Sequence, residues 1–255
     1  MNETIRILLI VCPLIFLSGL IDSVAGGGGL ISLPAYLAAG LPPHLAAGTN
    51  KCSATFGTLV STLRFMKNRR VHYLSAVVSA AAALAGSSLG AMLNMGADER
   101  VLQVLLVAAL PVIAVFLLIK RDFGAESRIE RLSKRALVAL SLAIGFVLGL
   151  YDGFFGPGTG TFLILAYTGI VGFDLVTASG NAKIVNLASN VAAFVTYALG
   201  GKILFLIGIP AALFGIAGNW IGSGLALKRG AKIIRPMFFV ALGILLCKVL
   251  WDLFF

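Results

Sequence analysis

The sequence predicts an all-α polytopic membrane protein, built as two inverted-topology repeats of about five helical segments each. Three observations predict it: long charge-free runs, an internal repeat, and an inverted distribution of basic loops. Of the 255 residues, 59% are hydrophobic and 12% charged, where a soluble domain carries about 25% charged residues. Runs without a charge cover 73–97, 101–119, 153–173, 184–201 and 203–227. Several reach the roughly 20 apolar residues that a membrane-spanning helix needs.

The repeat is read by alignment of the chain with itself. "SGLIDSVAGGGGLISL" (18–33) matches "LGLYDGFFGPGTGTFL" (148–163) at an offset of 130, which pairs Asp22 with Asp152. At an offset of 132, Gly48 meets Gly180, Lys51 meets Lys183, and Gly86 and Gly90 meet Gly218 and Gly222. The expected organisation is a first repeat over 1–122, a cytoplasmic linker over 123–132 and a second repeat over 133–255.

Charge supplies direction. Three stretches, 64–70, 120–135 and 228–235, hold 14 of the 20 Lys and Arg residues, which places them in the cytoplasm by the positive-inside rule. Loop 64–72 aligns with loop 200–202, and 96–100 with 228–234, yet each pair carries opposite charge character. The halves are therefore expected to be inverted, which requires an odd number of segments in each. Five fit: 5–25, 28–41, 45–65, 72–95 and 101–120, then 136–155, 158–172, 175–199, 203–227 and 233–254. The segment beginning "IRILLIVC" is a membrane helix rather than a signal peptide, because it runs into further apolar sequence with no small-residue cleavage site. An inverted repeat points to an alternating-access transporter.

Two segments are too short to cross the bilayer. Leu30–Ala39 would be about 15 Å of helix and Thr161–Gly172 about 18 Å, against a hydrocarbon core of about 30 Å. Each follows a glycine cluster, "GGGG" (26–29) or "GPGTG" (156–160). The clusters are expected to be hairpin tips meeting near the midplane. Irregular backbone is tolerated there only inside protein or beside a water-filled cavity. The helix that starts at each tip offers its partly positive end and free N–H groups to an anion. Gly86, Gly90, Gly218 and Gly222 sit inside long helices, and close packing accounts for them.

The polar residues within the spans complete the candidate site. Lys51 and Lys183 fall about 9–13 Å into their helices. A lysine at such depth costs roughly 2.5–3.5 kcal/mol on insertion scales and marks function. Beside them stand Thr49 and Asn50 in "GTNK" and Asn181 and Asn186 in "GNAKIVN". With the backbone at Gly27, Gly28, Gly29, Gly158, Thr159 and Gly160, they form a donor-rich centre suited to a small anion, with lysine as a point charge. Asp22 and Asp152 either cap the hairpins, pair with the lysines or carry a coupling proton. Asp174 is expected at a surface turn. The alternative reading is a carrier or channel for a cation or metal that uses the two aspartates.

Other classes find little support. Cys12, Cys52 and Cys247 are far apart, and the histidines have no partners at ligand spacing, so no metal site is expected. The formal charge of +10 reflects membrane orientation rather than nucleic-acid binding. GxxxxGK[ST] is absent and no catalytic constellation is evident, so neither a cofactor nor an enzyme is expected. The expected partners are a small anion and the lipid bilayer, with a homodimer left open.

The stretches "DSVAGGGGLISLPAYLAAGLPPHLAAGTNK" and "YDGFFGPGTGTFLILAYTGIVGFDLVTASGNAKIVNLASN" resemble the TauE/SafE family of membrane transporters. The resemblance covers nearly the whole chain. It implies a secondary transporter of sulfur-containing anions, such as sulfite or organosulfonates, acting as an exporter in the bacterial inner membrane. The first tip reads "GGGG" where the second reads "GPGTG", so the two hairpins are expected to contribute unequally.

Overall fold

A computed structural model describes residues 3–98, 132–230, 232–234 and 236–237. The expected segment 101–120, the linker apart from Leu132 and nearly all of 233–254 lie outside the described residues, as does Cys247. The described part is helical. In order it comprises α1 (Glu3–Ala25), α2 (Gly29–Ala38), α3 (Pro43–Lys67), α4 (Tyr73–Gly96), α5 (Lys134–Phe154), α6 (Thr159–Ala166), a π-helical turn (Tyr167–Val171), α7 (Leu175–Leu199) and α8 (Phe205–Arg229).

Local chemistry sets the boundaries. Pro43 opens α3, its fixed φ and missing N–H both suited to a first turn. The Ser133 hydroxyl accepts from Ala136 N–H at the start of α5. Asp174 accepts from Val176 and Thr177 N–H at the start of α7, the helix-capping role that fits its place in a turn.

Five helices, α1, α4, α5, α7 and α8, are long and apolar enough to cross a membrane. They expose large apolar side chains such as Leu9, Val77, Met92, Leu206 and Leu213, while Thr49, Ser53, Thr58, Ser61 and Thr62 of α3 are buried. This reverses the soluble pattern and suits a protein embedded in lipid. Helix α3 is long but more polar; it packs against α7 and α8 and leaves Phe56, Leu59 and Leu63 exposed on its outer face.

Helix α1 packs along α8, and α4 along α5. A Cβ on Gly86 or Gly90 would collide with the carbonyl of Phe146 or Leu150, and one on Gly218 or Gly222 with that of Phe16 or Leu20. These glycines let the backbones touch. The two contacts fall at residues that the sequence offsets pair with one another.

Both short segments turn back. Gly28 lies against Ser18 and Asp22 of α1, and the Ser18 hydroxyl donates to Gly28 O at 2.8 Å. In the second hairpin, Tyr151 OH donates to Pro157 O at 2.7 Å, and its ring meets Phe162 edge-on at 5.6 Å. The ten residues of α2 span about 15 Å.

Candidate functional site

The hairpin tips touch. Thr161 N–H donates to Gly26 O at 3.1 Å, and the Thr161 hydroxyl donates to Ala25 O at 3.0 Å. Gly26 holds φ at +75° and Gly158 at +80°, a region that L-residues with a Cβ rarely occupy. A Cβ on Gly26 would also overlap the backbone of Gly160. Gly26→Ala is therefore expected to abolish the folded protein, read as loss of the monodisperse peak in size-exclusion chromatography. The left-handed conformation alone costs roughly 1–2 kcal/mol, before the collision. Gly40→Ala is the control: its φ is +96° but no described atom lies within 4 Å of the added Cβ.

The four charges, three buried and Asp22 partly buried, pair crosswise. Lys51 Nζ of α3 lies 2.7 Å from Asp152 Oδ2 of α5, and Lys183 Nζ of α7 lies 2.8 Å from Asp22 Oδ2 of α1. Each aspartate thus pairs with the lysine of the opposite half. Asn190 Oδ1 also accepts from Lys51 Nζ, at 3.0 Å, and Ser189 OH donates to Asp152 at 2.5 Å. Lys183 donates a second bond to the Asp22 carbonyl. The four groups sum to zero charge, so the centre is rich in donors without a net positive charge.

The pairs differ in what they face. Between the tips, α3, α7 and α8 lies a cavity of about 50 Å³, room for about four waters or one small ion. Lys51, Asp152, Asp22, Asn50 and Asn186 line it, with Gly28, Gly29, Thr159 and Gly160 from the tips. Lys183 does not; its side chain is 0% exposed and locked on Asp22.

The remaining sequence candidates serve other contacts. The Thr49 hydroxyl accepts from Leu204 N–H at 3.0 Å, and Asn181 Oδ1 accepts from His72 N–H at 2.8 Å. Gly27 and Gly158 shape the turns and do not line the cavity. Among the described residues no group of three or more His, Cys, Asp or Glu gathers at a metal site.

Sequence reasoning missed Ser18, Ser53, Asn190 and Asn219, all of which line the cavity, and Ser189, which bonds Asp152. A signal existed for Asn190. Lys183, Asn186 and Asn190 follow helical spacing on α7 and share one face. Asn219 has no second amide or lysine at such spacing on α8, and only the packed structure brings it to the site.

Comparison with known proteins follows the same line. The family model described as sulfite exporter TauE/SafE matches residues 11–249. A "probable membrane transporter protein" of Haemophilus influenzae is 36% identical over 237 residues, covering 93% of this chain and 92% of that protein. The "probable membrane transporter protein YfcA" of Escherichia coli K12 is 34% identical over 258 residues, covering 98% and 95%. A more distant relative, the "probable membrane transporter protein YunE" of Bacillus subtilis, is 23% identical over 272 residues. No solved structure matches. A family match across almost the whole chain, on a helical fold with paired charges at its centre, establishes that the chain belongs to the sulfite exporter TauE/SafE family of membrane transporters.

Proposed function

We propose that the protein is a secondary carrier of small anions, foremost sulfur oxyanions and organosulfonates. It moves them outward across the bacterial inner membrane by alternating access between two inverted halves, 1–122 and 133–255. The observation that carries the reading is the ammonium of Lys51 in the wall of a cavity between two helix N-termini. Helices α2 and α6 start there, and helix starts favour negative charge.

Lys51 already holds a carboxylate, so an arriving anion competes with Asp152 for it. Asn190 keeps the ammonium in place while Asp152 swings aside. Asp22 acts as the partner that holds Lys183. Lys183 thus positions the first hairpin, and Lys51 meets the substrate. The rival cation reading is weakened because both aspartates already have lysine partners at under 3 Å.

The test uses purified protein. Sulfite, thiosulfate or sulfoacetate is expected to raise its melting temperature, with carboxylates less effective. In proteoliposomes, labelled anion should show saturable flux and counterflow, as a carrier requires. Undiminished flux after replacement of both Lys51 and Lys183 with alanine would discard the site. Stabilisation by cations alone would discard the anion reading.

A further inference from the structure

We infer that Asn219, with Asn50, forms an acceptor wall that selects anions bearing a hydrogen-bond donor next to the charged group. This rests on the anion reading above and narrows its substrate class.

Asn219 belongs to α8, lines the cavity and is 4% exposed. Its Nδ2 donates to Gly215 O at 3.0 Å, which fixes the orientation of the amide, since a flipped amide would oppose two oxygens. Among the described residues its Oδ1 has no hydrogen-bond partner, and neither does Oδ1 of Asn50, which is 7% exposed and lines the same cavity. Buried carbonyl oxygens are nearly always satisfied, so two unsatisfied ones on residues that line one cavity call for an occupant.

The carboxamide is gripped. A Cβ on Gly19 of α1 would stand 2.8 Å from Asn219 Nδ2, and one on Gly57 of α3 would stand 2.6 Å from it. Two helices carry glycine where they pass this amide. The offset of 132 pairs Asn219 with Ser87, whose hydroxyl is satisfied by Ser189 O at 2.7 Å. The unfilled acceptor therefore belongs to one wall only.

That wall complements the lysine wall. The oxygens of an anion can meet Lys51, but they repel the Asn219 and Asn50 carbonyls. A hydroxyl, ammonium or acid proton on the same ion satisfies them. The cavity of about 50 Å³ limits such an ion to a few heavy atoms.

The probes are methanesulfonate and hydroxymethanesulfonate, which share charge and headgroup and differ by one hydroxyl. Titration calorimetry on the full chain in nanodiscs is expected to give about tenfold tighter binding of the hydroxylated ion, the effect of one buried hydrogen bond. In Asn219→Ala the ratio should fall toward one, and in Asn50→Ala it should fall in part. Equal affinities in the unaltered protein would overturn the inference, since the amides then hold water only, and this comparison needs no variant. A ratio kept in both variants would overturn it too. Binding of both ions without discrimination, or of neither while sulfite still binds, removes this inference alone, whereas failure of sulfite and thiosulfate as well removes the anion reading along with it.

Discussion

Replacing Lys51 with methionine is expected to weaken anion binding about 10- to 100-fold and to reduce counterflow in proteoliposomes by a similar factor. The basis is the loss of a charge-assisted hydrogen bond, about 1.5–3 kcal/mol, at about 1.4 kcal/mol per tenfold. The single variant also strands Asp152, which is 2% exposed. The decisive protein is therefore Lys51→Met with Asp152→Asn, in which the charges leave together. Replacing both members of a buried pair is often neutral for stability, whereas removing one is not. The double variant should melt close to the unaltered protein and still fail to bind sulfite. Full binding by it would show that the anion does not use Lys51.

The second prediction concerns Lys183, which lies outside the cavity. Lys183→Met should destabilise the protein by about 3–5 kcal/mol, the usual effect of removing one member of a buried pair, and this would appear as a large fall in detergent thermostability. Lys183 holds both the Asp22 carboxylate and the Asp22 carbonyl, just before the first tip. Adding Asp22→Asn should recover most of the lost stability. If Lys183→Met melts normally and loses only anion binding, Lys183 meets the substrate itself and the division of labour between the lysines is wrong.

The two lysines that the sequence offset pairs read alike in sequence, and the structure separates them. Their place well inside their helices was legible from helix rise and distance to the nearest turn, which are local quantities. Their partners did not, because Asp152 and Asp22 come from the other half and no periodicity encodes such a pairing. The short segments were legible because hydrocarbon thickness is an external ruler. That they turn back depended on contacts such as Ser18 with Gly28, which length alone does not give. Thr49 and Asn181 stand beside Asn50 and close to Lys183 in sequence, yet successive residues of a helix point about 100° apart. Their side chains meet Leu204 and His72 instead. Asn219 was invisible for the opposite reason: a lone amide in an apolar helix gains meaning only from what packs around it.

The crosswise pairing also bears on biogenesis. Asp22 leaves the ribosome 161 residues before Lys183. At about 5–20 residues per second, the wait for its partner is roughly 10–30 s. Until Asp152 and Lys183 are made, Lys51 and Asp22 lack the partners they hold in the fold, at roughly 2.5–3.5 kcal/mol for each charge within the membrane. A nascent chain in this condition must shelter its charges against each other or against the insertion machinery until the second half arrives. A ribosome stalled between the halves would leave a membrane intermediate exposed to proteolytic quality control.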